Sequence, residues 1–311
     1  MELPIIAWFL IFPASLFVLI KASDFFTENA EKIGLMLGIS PFIIGVTIVS
    51  IGTSLPELVS SLVAVVQGSS NIVAGNVVGS NIANILLILG FGAVIAKKLI
   101  IQFDLINVDV PILAGATILL ILTGFDGVIT PFESIIMILG FIIYIAYTVN
   151  TDPHEPDEDK KVKPSPWPFI IVVVSSGFIF LGAKFTVDSV IEISSFFGVG
   201  EELIAVTAVA FGTSLPELMV TLSAVKSGNS EMVVGNVLGS NIFNALIVIG
   251  VPGLLGNIVV ADSILTIGFP VMASATILFF LVTLDKKIGR WEGFMLMLVY
   301  LFFIGKIFNI I

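Results

Sequence analysis

Two octapeptides decide how this chain is read: IGTSLPEL at Ile51–Leu58 and FGTSLPEL at Phe211–Leu218. A second pair accompanies them, GNVVGSNIAN at Gly75–Asn84 and GNVLGSNIFN at Gly235–Asn244. Gly52 and Gly212 are 160 residues apart, and so are Gly75 and Gly235. Two unrelated motifs repeated at one offset mark a duplicated unit rather than a coincidence. Each motif lies inside a long apolar run, and each octapeptide places a glutamate, Glu57 or Glu217, deep within that run.

Working outward, the runs recur along the chain. Ten are readable, at about 4–21, 41–66, 72–96, 106–123, 131–149, 167–187, 201–226, 231–255, 262–283 and 291–310. Most are near the ~18–20 residues needed to cross a bilayer as a helix. The 311 residues are 57% hydrophobic and 12% charged, against about 25% charged in soluble domains. The fold expected is therefore an all-α membrane protein. The first run is read as a span and not as a secretion signal, because Glu2 precedes it and no small-residue cleavage site follows.

One hydrophilic stretch interrupts the pattern, NTDPHEPDEDKKVKPSP at 150–166. It divides the chain into a first repeat (1–149), a linker (150–166) and a second repeat (167–311). Proline and mixed charge mark the stretch as a solvated linker, and the single histidine, His154, falls within it. Five spans per repeat is an odd number, so the second copy enters the membrane from the opposite side. Inverted repeats of this kind place a transport site at their interface, near the membrane midplane. Eleven of the 13 lysines and arginines fall on one side if the loop after the first span is cytoplasmic. That bias puts the linker inside and both termini outside, in a multi-pass plasma-membrane protein.

Composition also excludes chemistry. There are no cysteines, so thiolate metal sites and disulfides are absent. A net charge of −10 argues against nucleic acid as a partner. An ionisable group within a span costs at least ~2.5 kcal/mol on insertion scales, which marks it as functional. No lysine or arginine lies near Glu57 or Glu217 in sequence to pair with it.

The neighbours of the two glutamates suit a bound cation. On a helix, Thr53 and Ser54 share a face with Glu57, as Thr213 and Ser214 do with Glu217. Pro56 and Pro216 have no N–H to offer the carbonyls of Gly52 and Gly212, so broken helices are expected at the site, with carbonyls near Ser50 and Ala210 joining it. Ser80 with Asn84, and Ser240 with Asn244, add neutral oxygens four residues apart. Gly75 with Gly79, and Gly235 with Gly239, have the spacing of close helix packing. Asn76, Asn81, Asn236 and Asn241 are expected to hydrogen-bond between helices. The donors are all hard oxygens, which suit sodium and calcium and disfavour zinc, copper or nickel.

These motifs resemble the two alpha-repeats of the sodium/calcium exchanger branch of the cation/calcium antiporter superfamily, in its prokaryotic form. The resemblance implies ten spans in two inverted five-helix repeats, and antiport of Na+ against Ca2+ by alternating access, with about three Na+ per Ca2+. It implies a calcium site at Glu57 and Glu217, aided by the Thr53 and Thr213 carbonyls. It further implies sodium sites at Ser50, Ser54 and Ser80 in one copy and Ala210, Ser214 and Ser240 in the other, with Asn84 and Asn244 flanking the centre. Asn244 stands where potassium-dependent relatives carry Asp, so transport is expected to be independent of K+. The alternative within the same fold is a proton/calcium antiporter, whose GNAxE-type motif is missing here. A two-carboxylate enzyme and an ion channel are the readings from other classes. Catalysis requires neither the repeat symmetry nor the hydroxyl-rich surroundings, and the sequence shows no selectivity-filter signature, so transport without enzymatic activity is expected. Ca2+ and Na+ are expected as transported substrates without a cofactor, in a monomer embedded in lipid.

Overall fold

The structure is a computed structural model that describes residues 4–102, 109–150, 165–197 and 214–307. The described residues are predominantly helical. In chain order the helices are α1 (Ile5–Leu37), α2 (Pro41–Val66), α3 (Asn71–Ala96), α4 (Asp109–Gly124), α5 (Pro131–Asn150), α6 (Trp167–Phe196), α7 (Leu215–Lys226), α8 (Ser230–Gly253), α9 (Ile264–Thr283) and α10 (Arg290–Ile307). Seven of them, α1, α2, α3, α5, α6, α8 and α9, are long and apolar enough to cross a membrane. Of the other three, α4 has 16 residues, α7 begins where the described chain resumes, and α10 bears Arg290, Glu292 and Lys306 at its ends.

The all-α expectation needs one addition. Four short strands, β1 (Lys98–Ile100), β2 (Val128–Ile129), β3 (Ile258–Val259) and β4 (Lys287–Gly289), form two antiparallel ribbons. Leu99 pairs with Ile288 in one, and Val128 with Val259 in the other. Loop backbone beside a helix end has N–H and C=O groups to satisfy, and each loop finds them in a distant loop. α4 runs from the β1–β4 ribbon to the β2–β3 ribbon, and α9 returns beside it, their Thr117 and Thr276 hydroxyls 3.2 Å apart. The ribbons therefore mark opposite ends of the molecule. The β1–β4 end is the more basic, with Lys97, Lys98, Lys286, Lys287 and Arg290 clustered in its loops.

Burial runs from α8 outward. In α8, 94% of the most apolar stretch is buried, against 17% in α1. Leucines, isoleucines and phenylalanines are exposed along α5, α6 and α10, the surface expected of helices facing hydrocarbon. Glycine lets the interior helices approach closely: a Cβ on Gly45 would lie 2.7 Å from the Met232 carbonyl oxygen of α8. α1 extends well past its apolar run because Ala22, Phe26, Ala30 and Ile33 continue a buried stripe through the charged stretch Lys21–Lys32. Gly38, at φ 69°, then ends the helix.

Candidate functional site

The site begins with an irregular turn. Residues Gly45–Val49 of α2 form a π-turn, in which the Ser50 N–H reaches the Gly45 carbonyl instead of that of Val46. The Val46 carbonyl freed in this way accepts the Ser50 hydroxyl, which also lies 3.3 Å from the Thr47 carbonyl. Beyond this turn α2 continues as a regular helix from Ser50 to Val66, straight through Pro56. The helix break expected at Gly52–Pro56 is therefore not present. The departure from α-geometry lies one to two turns earlier, and the wide turn exposes carbonyl oxygen without unwinding the helix. Phe26 packs over Gly52, where a Cβ would lie 2.8 Å from its ring, and leaves no room for local unwinding. In the second copy Pro216 sits in the first turn of α7, where a missing N–H costs nothing. π-turns also follow the second motif in each copy, at Asn84–Leu89 and Asn244–Val248.

Glu57 and Glu217 are 1% and 2% exposed. Ser54 of the first copy donates its hydroxyl to Glu217 Oε1 of the second at 3.1 Å. Both oxygens of Glu57 and the Oε2 of Glu217 have no hydrogen-bond partner. The same holds for both amide atoms of Asn84, both of Asn244 and the Ser240 hydroxyl, all of them buried. Ser50, Thr53, Ser80 and Ser214 are buried too. Among the described residues no lysine, arginine or histidine forms an ion pair with either glutamate. Thr213 and Ala210, the remaining expected ligands, lie outside the described residues.

Buried carboxylate and amide groups are ordinarily satisfied, because stranding one costs roughly 1–3 kcal/mol and more for a charge. Here unpaired oxygens of α2, α3, α7 and α8 include those of both acids. A partly dehydrated cation is the ligand that such a set accepts: it takes oxygen donors and offsets two negative charges. The donors include no sulfur and no imidazole, and no cluster of three or more acids, histidines or cysteines occurs among the described residues.

Polar residues outside the expected set tie these helices together. Asn81 donates to the Asn241 carbonyl at 3.1 Å, joining α3 to α8. Asn241 instead bonds its own helix, at the Val237 carbonyl. Asn236 of α8 lies 3.4 Å from the Thr53 hydroxyl of α2 and donates to the Thr221 hydroxyl of α7 at 3.1 Å. Thr221 and its counterpart Ser61 were legible from the repeat: each stands four residues past its glutamate, at the common offset of 160.

The sequence profile of the family described as "Sodium/calcium exchanger protein" matches residues 7–150 and 167–308. The chain is 33% identical to "Sodium/calcium exchanger MaX1" of Methanosarcina acetivorans, over 97% of this chain and 99% of that protein. It is 33% identical to "Putative antiporter CaxA" of Alkalimonas amylolytica, over 92% and 94%. A solved structure of the sodium-calcium exchanger NCX_Mj superposes with a TM-score of 0.86 at 31% identity, covering 97% of this chain and 99% of that one. With spans, motifs and relatives in agreement, the chain belongs to the sodium/calcium exchanger family, on its prokaryotic branch, as a multi-pass membrane protein.

Proposed function

We propose that this chain is a secondary antiporter that exchanges Na+ for Ca2+ by alternating access. The observation that carries the reading is that the buried carboxylates Glu57 and Glu217 have unpaired oxygens and no basic partner among the described residues. Calcium takes both carboxylates, with Asn84, Asn244 and the Thr53 and Thr213 carbonyls around it. Sodium is held beside the centre by Ser50, Ser54 and Ser80 on one side and by the Ala210 carbonyl, Ser214 and Ser240 on the other. The relatives' names, sodium/calcium exchanger and putative antiporter, support this choice of ions.

The finer architecture belongs to the same proposal. Ten spans form two inverted repeats, 1–149 and 167–311, joined by a cytoplasmic linker at 150–166, and both termini face outward. The basic β1–β4 end then faces the cytoplasm. The protein works as a monomer in the bilayer and carries out transport, not catalysis. Asn244 supplies no charge, so K+ is not required.

Charge arithmetic makes the cycle electrogenic. Two ionised carboxylates with one Ca2+ sum to zero, and with three Na+ they sum to +1. Carrying that charge through the membrane field is worth ~2.3 kcal/mol per 100 mV. In proteoliposomes whose potential is set by an ionophore, the Na+/Ca2+ balance point is expected to move with voltage. A balance point that ignores voltage would mean two Na+ per Ca2+, and no Na+-driven Ca2+ flux at all would end the exchange reading.

A further inference from the structure

Thr221 and Ser61 occupy corresponding places, one turn beyond Glu217 and Glu57. Both are 1% exposed, yet their hydroxyls are treated differently. The Thr221 hydroxyl accepts from Asn236, whose Oδ1 faces the Thr53 hydroxyl, so one amide links α2, α7 and α8. The Ser61 hydroxyl has no partner, and Asn76, the counterpart of Asn236, is half-buried with no side-chain hydrogen bond among the described residues.

The two sites lie on opposite sides of the glutamates. α2 runs past Ser61 to a turn where the Ser70 hydroxyl meets the Val259 N–H of the β2–β3 ribbon. α7 runs past Thr221 toward Glu231, which accepts from the Gln102 N–H beyond β1. Exposure follows the bonding. Three residues further along each helix, Ala224 is 1% exposed while its counterpart Ala64 is half-buried. Beyond the tied hydroxyl the helix is more deeply buried than beyond the untied one.

We infer that Asn236–Thr221 and Asn76–Ser61 are alternating ties: the first holds the Thr221 side of the site closed in this conformation, and the second forms when the Ser61 side closes. Asn236, Thr221, Asn76 and Ser61 are thus positioning residues that set the balance between two conformations and are not ligands of the ion. This rests on the exchange reading for its purpose, but the conformational balance can be measured without any transported ion. An unpaired buried hydroxyl and a half-buried amide are costly to leave apart, so their union rewards the second conformation as the Asn236 bond rewards the first.

The absence of cysteine from the whole chain makes the test direct. Single reporters Ala64→Cys and Ala224→Cys are placed in the purified full-length protein, and their labelling rates by a hydrophilic thiol reagent are measured in ion-free buffer. Thr221→Val keeps the shape and removes the hydroxyl, so it weakens only the first tie. Labelling at position 224 is expected to rise and labelling at 64 to fall, changing their ratio by roughly threefold to tenfold, the weight of one net hydrogen bond. Thr221→Ser should restore the ratio. Ser61→Ala should move the ratio the opposite way. General loosening would raise both rates together, and a merely local role would move neither; either result overturns the proposal. Failure of the exchange reading would appear instead as missing Na+-driven Ca2+ flux, with the labelling ratio still responsive.

Discussion

Two decapeptides, GNVVGSNIAN and GNVLGSNIFN, differ at only two positions and sit in unlike surroundings. In α8, Gly235 and Gly239 lie against the π-turn of α2. A Cβ on Gly235 would stand 2.5 Å from the Phe42 carbonyl oxygen, and one on Gly239 would strike the Val46 carbonyl. In α3, Gly75 and Gly79 are only half-buried, and 72% of the helix's most apolar stretch is buried against 94% in α8. The serines and asparagines that follow are buried in both copies. The repeat thus carries one chemistry at two depths of burial. Equivalent substitutions should match where the side chain acts on the ion and diverge where it only makes room.

The largest effect expected is also the most symmetric. Glu57→Gln and Glu217→Gln should each abolish calcium exchange, with folding retained, since the amide keeps the shape and loses the charge. Calcium flux in proteoliposomes and thermal stability in detergent would separate the two effects. One variant near wild-type flux would break the equivalence of the copies.

Next comes the asymmetric pair. Gly239→Ala should destabilise by about 1–3 kcal/mol, because its methyl group meets backbone that cannot give way. Gly79→Ala, at a half-buried position, should cost less, alanine being the better helix former by about 1 kcal/mol. Equal losses of thermal stability would mean that the two copies are packed alike.

A proton titration sharpens the comparison further. A carboxylate holds calcium only when deprotonated, so protons compete and calcium binding weakens as pH falls. With one acid from each copy, the loss should steepen toward two protons per calcium at low pH. Calcium affinity measured by calorimetry across the acid range gives that slope. A limit of one proton would leave a single copy holding the ion.

The smallest expected effect is none. Asn244 is uncharged where potassium-dependent relatives carry Asp, so calcium flux should be unchanged within about twofold, roughly 0.4 kcal/mol, when K+ replaces an inert cation. Asn244→Asp is the variant in which a K+ effect should appear, and a K+ requirement in the unaltered protein would contradict the assignment.

Much of this was legible in the sequence because membrane burial is costly and leaves few alternatives. An apolar run with one glutamate points to both a span and a candidate site, and the shared offset pairs Glu57 with Glu217 before any contact is known. The bounds of α2 follow directly from its apolar run. What escaped depends on long-range geometry. Hydropathy ended the first span near Lys21, but a buried stripe at helical spacing carries α1 to Leu37. Pro56 pointed to a break, but the irregularity lies at Gly45–Val49, where α2 meets the glycines of α8 and no proline marks it. Asn236 does bond between helices as expected, but its partners, Thr53 of one copy and Thr221 of the other, could not be read from any local pattern. Thr213 and Ala210 remain expectations, outside the described residues.

The ribbons bear on how such a chain is made. β1 occupies residues 98–100 and its partner β4 residues 287–289, so nearly the whole chain must be synthesised before the pair can form. During vectorial insertion the first half waits beside the translocon with an open strand edge, and so does β2 until residues 258–259 follow. Contacts of such long sequence separation close late and slowly. The final assembly step is thus the closing of the two ribbons, one at each end of the helices α4 and α9. A nascent chain stopped short of Lys287 would hold every residue of the candidate ion site and still lack one of its two seams.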